Sequence, residues 1–269
     1  MSSVKKPIDN IEDMARGAPK KADIRIDRLF VSSMLAGAYI GIGGTVAAVC
    51  ASGHTNAVVS KILFSLFFPI ALTIVAIAGS ELFTGNVGSM TYGLLGKTTT
   101  WMQVLKSLLV SYIGNFVGSS LFVWCIMVPC GTFDSDPYKS WVVNLAVTKT
   151  TYSWGRALMK GIACNWLVNL ALWMAAFYSD AVNKAVCIWV AIFSFCALGF
   201  EHSVANMTMI PLGIHYGTVT WGQYLWNNLI PVTLGNMIGG SLLVALLYWY
   251  ILGSPDASKD RKSERKNLV

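Results

Sequence analysis

Charged residues are scarce in this chain, and their scarcity decides its class. Aspartate, glutamate, lysine and arginine together make up 12% of the 269 residues, whereas hydrophobic residues make up 55%. A soluble domain carries about 25% charged residues. The composition therefore excludes a soluble globular protein and predicts an integral, multi-pass membrane protein that has the lipid bilayer as its main environment.

The charges that are present lie mostly in two polar segments at the ends of the chain. Of the 20 lysines and arginines, 12 lie in residues 1–28 and 253–269, which we interpret as tails around a transmembrane domain at residues 29–252. Basic residues beside membrane spans are the ordinary positive-inside signal, so no nucleic-acid partner is predicted. The first tail lacks the apolar core of a cleavable signal peptide, and a surface helix is expected near residues 24–28.

Metal-binding and redox patterns are also missing. The six cysteines lie in or beside apolar runs, none forms a CxxC pair, and no histidine accompanies them at metal-ligand spacing. Such cysteines are typical of small buried packing residues. We therefore predict no metal, no cofactor and no disulfide framework.

Six apolar segments are long enough to cross a bilayer, and two of them are too long for one simple crossing. About 20 helical residues span the ~30 Å hydrocarbon core. The predicted spans are residues 29–50, 61–96, 101–127, 154–178, 185–214 and 224–252. The second and the fifth contain a polar interruption, which is tolerated only where the freed backbone is buried in protein or lines a cavity. Residues 129–152 are predicted to be a turn-rich surface loop.

The two interrupted spans share one sequence pattern. AGSELFTGNVGSM at residues 78–90 and LGFEHSVANMTM at residues 198–209 align at an offset of 120 residues, and GNFVGS at 114–119 aligns with GNMIGG at 235–240 at an offset of 121. Each half of the chain thus has three crossings, and because three is odd the halves must lie inverted. The predicted fold is an all-α membrane protein with six transmembrane helices in two inverted three-helix repeats, the second and fifth helices broken at mid-depth.

The distribution of basic residues predicts the orientation. With both tails on the inner side, that side holds 15 of the 20 lysines and arginines. Both termini are therefore expected to be cytoplasmic, in a plasma membrane or a cell's inner membrane.

Repeated polar residues occupy the two breaks. Glu81 and Glu201 are two of the five acidic residues within the transmembrane domain, and each could accept hydrogen bonds from freed backbone N–H groups. Glu81 could in addition orient His202 or hold the opposite loop. Asn86 and Asn206 are expected to cap the second half-helices, either as caps alone or while the half-helix N-termini offer a positive dipole end to an anion.

His202 is the one histidine of three that lies inside a predicted span. An ionisable residue at membrane depth is a functional hypothesis by default, and an imidazole with an ordinary pKa near 6.5 can gain and lose a proton at physiological pH. We expect it in the substrate pathway, opposite Thr84. Lys160, the other intramembrane charge, either extends to the outer surface or attracts anions at a pore mouth.

Apolar residues flank the polar breaks and are candidates for two constrictions. They lie on the helix that leads into the first break, within that break, or at helical spacing before the second break. These candidates are Phe68, Leu72, Leu82, Phe83 and Phe195.

The motifs GSELFTGN, KGIACNWLV and GFEHSVANM, in this order, make the chain resemble the formate–nitrite transporter family over about residues 29–252. The resemblance implies an aquaporin-like protomer with one pore, a homopentamer, and passage of small monovalent acids: formate, nitrite, acetate, lactate or hydrosulfide. It implies pathway positions for Thr84, His202, Asn206 and Lys160. It also implies constriction positions for Phe68, Leu72 and Phe195.

The expected function is channel-like transport of such an acid together with a proton, because an unpaired charge crosses a dry apolar constriction only at high cost. A passive, pH-gated anion channel for the same ions is the alternative. A membrane enzyme using Glu201 and His202 is disfavoured because no nucleophile, metal set or cofactor motif accompanies them. A non-transporting scaffold is disfavoured by the intact motifs.

Overall fold

The computed structural model describes residues 5–217 and 219–253, so residues 254–269 of the expected C-terminal tail lie outside the described residues. All regular secondary structure in the described part of the chain is helical. Its principal helices are α1 Pro7–Ala22, α2 Ile26–Ala51, α3 Ala57–Ala78, α4 Phe83–Leu95, α5 Trp101–Cys130, α6 Tyr138–Thr150, α7 Trp154–Ala175, α8 Ala181–Leu198, α9 Ser203–His215 and α10 Trp221–Gly253.

Six of these helices are long and apolar enough to span a bilayer, namely α2, α3, α5, α7, α8 and α10. The half-helices α4 and α9, of 13 residues each, continue the second and fifth spans beyond their breaks. The predicted all-α fold of two inverted three-helix repeats, with the second and fifth helices broken, is confirmed. The spans begin and end within a few residues of the predicted positions.

A glycine in the left-handed conformation ends the first part of each broken span. Gly79 ends α3 with φ 72° and Gly199 ends α8 with φ 69°. This region is costly for a residue with a Cβ, which is why glycine serves as the helix stop. Three residues follow each glycine, and the next half-helix then begins at Phe83 or Ser203. The two breaks therefore have the same backbone plan.

Two repeated asparagines hold the breaks in place. Asn115 on α5 accepts a hydrogen bond from the backbone N–H of Phe83 at 2.8 Å and donates to the carbonyl of Glu81 at 3.1 Å. Asn236 on α10 accepts from the N–H of Ser203 at 2.9 Å and donates to the carbonyl of Glu201 at 3.0 Å. Both side chains are fully buried. Each thus satisfies the backbone groups that a broken helix leaves free at membrane depth.

Small residues allow the whole spans to approach closely within each half. A Cβ on Gly37 of α2 would lie 2.2 Å from the backbone oxygen of Asn115 on α5, and one on Gly239 of α10 would lie 2.1 Å from the oxygen of Ile162 on α7. Neither distance is sterically permitted, so backbone-to-backbone contact requires glycine at both positions.

Two helices outside the spans correct the sequence-based expectation. The surface helix expected near residues 24–28 lies instead at Pro7–Ala22, and residues 26–28 already belong to α2. Within the region 129–152 only residues 131–137 form turns, because α5 extends to Cys130 and Tyr138–Thr150 is helical. In α1 a buried stripe at helical spacing, Ile11, Ala15, Ala18 and Ala22, packs on the domain. The charged residues between these positions obscured that stripe in the sequence.

Candidate functional site

The two breaks meet at one hydrogen bond. Thr84 Oγ1, in the first turn of α4, lies 2.9 Å from Nε2 of His202, which precedes α9. Both side chains are buried. Because the N-termini of both half-helices converge here, their positive dipole ends point at this contact from opposite sides. The predicted pairing of His202 with Thr84 is confirmed as a geometric contact.

The hydrogen bond at the other ring nitrogen of His202 determines the tautomer of the neutral imidazole. Nδ1 accepts a hydrogen bond from the backbone N–H of Ala205 at 3.1 Å, which makes His202 the N-cap of α9. A nitrogen that accepts carries no proton, so the proton of the neutral ring is on Nε2. Nε2–H therefore donates to Thr84 Oγ1. A second proton could enter at Nδ1 only by breaking the cap.

A cavity of 450 Å³ lies on one side of this contact, and His202, Glu201 and Asn206 line it. We name this cavity outer, and the one on the opposite side inner, after the orientation that the sequence predicts. Lys149, at the end of α6, also lines it and donates to Oε1 of Glu201 at 2.9 Å. The second carboxylate oxygen accepts from Nδ2 of Asn206 at 2.8 Å and from Nδ2 of Asn228 at 3.2 Å. The buried carboxylate is thus paired and hydrogen-bonded, as a charge at this depth requires.

An inner cavity of 280 Å³ lies on the other side, and Glu81, Asn86 and Leu82 line it. Lys21, at the end of α1, reaches into it and donates to both carboxylate oxygens of Glu81, at 2.8 and 2.9 Å, and to Oδ1 of Asn86 at 3.2 Å. Each cavity therefore contains a lysine from a surface helix, the glutamate of a break and the asparagine that follows it. The inverted repeat has produced two equivalent vestibules.

The predicted roles of the repeated Glu and Asn residues were wrong in detail. The carboxylates of Glu81 and Glu201 accept from lysine ammonium and asparagine amide groups rather than from freed backbone N–H groups, and Glu81 pairs with Lys21 rather than with His202. The N-caps are Leu82 and His202, so the two asparagines lie one turn inside their half-helices. The asparagines of α5 and α10 satisfy the backbone, which leaves the carboxylates free for the lysines.

The apolar candidates divide between the two cavities. Phe68 and Phe195 line the outer cavity, where their ring centroids are 5.7 Å apart, and the ring of Phe195 stacks on His202 at 6.1 Å. Leu72 and Leu82 line the inner cavity. Phe83 packs edge-on against Tyr112 of α5, at 4.9 Å between ring centroids, and lines neither cavity.

The side chain of Lys160 donates a hydrogen bond to a backbone carbonyl group. Its ammonium donates to the backbone oxygen of Gly199 at 2.6 Å and lies 4.8 Å above the ring of Tyr152. Gly199 and Tyr152 line the outer cavity, whereas Lys160 lies behind them. The lysines that line the outer cavity are Lys61 and Lys149, and of these Lys149 pairs with Glu201.

Sequence reasoning missed Lys21, Lys149 and Asn228. The two lysines were assigned to the charge count of the surface segments, because nothing in their neighbours marks them as pathway residues. A signal was nevertheless present, since each lies on the segment that immediately precedes a whole span and the two are 128 residues apart. That spacing is close to the repeat offsets of 120 and 121. Asn228 has no such counterpart in the repeat pattern.

Comparison with known proteins agrees with this architecture. The model of the formate/nitrite transporter family matches residues 9–250. A probable formate transporter of Methanothermobacter thermautotrophicus is 40% identical, over 93% of this chain and 97% of that protein. The nitrite transporter NirC of Escherichia coli (strain K12) is 36% identical, over 93% of this chain and 94% of that protein.

Two solved structures have the same fold. One, described as an FNT family ion channel, superposes with a TM-score of 0.84 at 35% identity and covers 92% of this chain and 99% of its own. The other, a pentameric formate channel with formate bound, has a TM-score of 0.76 at 29% identity and covers 85% of this chain and 98% of its own.

Proposed function

Because the chain belongs to the formate/nitrite transporter family, we propose that it moves small monovalent acids, with formate, nitrite, acetate and lactate as candidates, across a membrane together with a proton. The observation that carries the proposal is the contact of 2.9 Å between Thr84 Oγ1 and His202 Nε2. This contact lies between the two cavities, so a substrate passing from one to the other must replace it.

The two vestibules supply the first step, in which an anion approaches the barrier. Lys149 and Lys21 each provide an ammonium group, and each is already offset by a glutamate at 2.9 or 2.8 Å. The lysine–glutamate pairs thus attract an anion without holding it as tightly as a bare lysine would. The half-helix N-termini add partial positive charge at the centre.

The central barrier selects against the charged form. The rings of Phe68 and Phe195 on the outer side, and Leu72 and Leu82 on the inner side, offer an anion no hydrogen bonds. An unpaired carboxylate there would cost many kcal/mol. The acid therefore crosses in its neutral form, and net movement is one anion and one proton.

The proton enters from the bulk solution, as hydronium relayed through the water of the vestibule, rather than from His202 itself. The neutral ring carries its proton on Nε2, and giving that proton away would leave a buried imidazolate. A doubly protonated ring could give one, but it would first have to release the N–H of Ala205 from Nδ1. His202 instead donates its Nε2–H hydrogen bond to an oxygen of the passing acid, in exchange for the bond to Thr84.

The second candidate is a passive, pH-gated channel for the same anions or for hydrosulfide. The family comprises both transporters and channels, as the formate channel among the structural neighbours illustrates. Electrical recording separates the two, because an anion channel carries current at neutral pH whereas passage of an anion with a proton is electroneutral.

Flux into proteoliposomes tests the proposal. Uptake of labelled formate, acetate and lactate should rise as the external pH falls, and His202→Phe should reduce it. The matched control is His215→Phe, which changes an exposed histidine at the far end of α9 and should leave uptake unchanged. Uptake that is independent of pH, together with full rates for His202→Phe, would refute the mechanism.

We further propose a homopentamer with one pathway per protomer and both termini in the cytoplasm, in a plasma membrane or a cell's inner membrane. The structural neighbour with bound formate is pentameric, and the excess of basic residues in the tails supports the orientation. Native mass spectrometry would count the subunits, and labelling of single cysteines placed in the tails would locate the termini.

A further inference from the structure

A groove of 410 Å³ opens beside the inner cavity, between the first turns of α2 and the end of α3. Its wall combines two charged residues, Arg28 and Asp27, with the apolar side chains of Val31 and Leu35. The end of α3 closes it at Gly79 and Ser80, which also line the inner cavity. A charged rim above an apolar wall at the end of a span is the environment of a lipid headgroup and its acyl chain.

Comparison of the two halves of the repeat shows that this groove lacks a long side chain that is present in the second half. The N–H of Glu81 donates to the hydroxyl of Ser32 at 3.1 Å, and the N–H of Glu201 donates to the backbone oxygen of Lys160 at 3.2 Å. Ser32 and Lys160 therefore occupy equivalent positions, 128 residues apart. In the second half Lys160 fills the space with its long side chain, whereas in the first half serine leaves it open.

Lys160 provides a hydrogen-bond donor to the carbonyl group at the end of α8, whereas Ser32 provides none to the carbonyl group at the end of α3. Lys160 donates to the backbone oxygen of Gly199, at the C-terminal end of α8, at 2.6 Å. Gly79 has nearly the same backbone conformation, φ 72° and ψ 32° against 69° and 36°. Among the described residues no donor reaches the carbonyl oxygen of Gly79. The end of a helix carries partial negative charge, so this position suits an ammonium group.

The charged rim of the groove offers a partner for a phosphate. Arg25 is paired with Asp27, at 2.9 Å, whereas the guanidinium of Arg28 forms no ion pair within the described residues. Arginine binds phosphate through paired N–H donors. One ligand that carries an ammonium, a phosphate and an acyl chain satisfies all three features of the groove.

We propose that this groove binds a phospholipid with a primary ammonium headgroup, of the phosphatidylethanolamine type. Its ammonium donates to the carbonyl of Gly79, in the place that Lys160 takes at Gly199, and its phosphate pairs with Arg28. Its acyl chain lies along Val31 and Leu35. The bound lipid then packs against Gly79 and Ser80 from the side opposite to the inner cavity.

Native mass spectrometry of the complex, released from bilayers containing equal amounts of phosphatidylethanolamine and phosphatidylcholine, tests the proposal. The choline headgroup has no N–H to donate, so the wild type should retain about tenfold more of the ethanolamine lipid. Ser32→Lys supplies the ammonium from the chain itself and should abolish this preference. Ser32→Ala loses the bond to Glu81 but leaves the groove open, and should keep the preference.

Arginine variants provide the matched control, and also a test if Ser32→Lys does not fold. Arg28→Gln should weaken retention of both lipids, and Arg156→Gln, at the equivalent position of the second half, should not. Four results would overturn the proposal: equal retention of both lipids, retained preference in Ser32→Lys, equal losses in the two arginine variants, or no bound lipid in the wild type, as when a neighbouring subunit covers the groove.

Discussion

Lys149 donates to Glu201 at 2.9 Å within the outer cavity, with the lysine side chain 14% exposed and the glutamate 3%. In its counterpart in the inner cavity, Lys21 donates to both carboxylate oxygens of Glu81 at 2.8 and 2.9 Å, but the lysine side chain is 34% exposed. The outer pair lies deeper in protein, because Asn206 and Asn228 enclose the carboxylate. Loss of the lysine should therefore lower the free energy of unfolding by different amounts in the two halves.

Removing the outer lysine should destabilise the protein more than removing the inner one. Lys149→Met leaves the carboxylate of Glu201 buried without a cation, which typically costs about 3–5 kcal/mol. Lys21→Met leaves a carboxylate closer to water and should cost less. Unfolding temperatures of the purified variants measure the difference, and Lys149→Met/Glu201→Gln should recover most of the loss. Equal effects of the two lysine variants would contradict this prediction.

The contact between Thr84 and His202 should depend on the hydroxyl rather than on the size of the side chain. Thr84→Val keeps the shape but leaves the Nε2–H of His202 without an acceptor, at a cost of about 1–3 kcal/mol. We expect lower stability and slower formate uptake in liposomes. Thr84→Ser keeps the oxygen and should behave nearly as the wild type. If valine and serine gave the same uptake, the hydrogen bond would have no part in transport.

The asparagines that hold the breaks should be among the most sensitive positions in the chain. Asn236→Leu deprives the N–H of Ser203 and two carbonyl oxygens of partners at membrane depth, and each unsatisfied group costs about 1–3 kcal/mol. Asn115→Leu should be as severe, because it removes the same three contacts in the first half. The yield of folded protein by size-exclusion chromatography measures this. Asn144→Leu, at an exposed position, is the control and should have little effect.

The two helix-ending glycines should respond equally to alanine. Gly79 and Gly199 share positive φ values of 72° and 69°, and a Cβ on either would meet no atom closer than 3.7 Å. The cost is therefore conformational rather than steric, about 1–2 kcal/mol for each residue. Gly155→Ala, in the first turn of α7 with open space around it, should be neutral or slightly stabilising. Unfolding temperatures that fell as far in Gly155→Ala would remove the backbone explanation.

Much of the architecture could be predicted because it depends on local pattern. The repeated Gly, Glu and Asn residues marked both breaks, and the structure interrupts the helices at those glycines. The pair Asn115 and Asn236 was visible as a second repeat, but its role was not. A sequence shows that two asparagines recur, whereas only their position opposite the breaks shows that they satisfy backbone groups.

The candidate pathway residues also divide into those that local pattern predicted and those that it did not. His202 was predicted from one ionisable ring in an apolar run, and its contact with Thr84 followed from the repeat. The assignment of Asn86 to a cap was wrong, because it rested on its neighbours along the chain. The contact of Glu81 with His202, offered as one alternative from the repeat, is not made. The side chain that reaches Glu81 comes from Lys21, which is 60 residues away.

The sequence by itself determined that this chain spans a membrane, that it consists of two inverted halves, and that each half has one helix broken around a glutamate and an asparagine. Hydropathy and repetition encode these properties locally, so they can be read without coordinates. Only the tertiary structure decided which lysines enter the vestibules, which asparagines hold the breaks, and that Lys160 fills a space that Ser32 leaves open. These are contacts between residues far apart in the chain, and the packing of the helices brings them together.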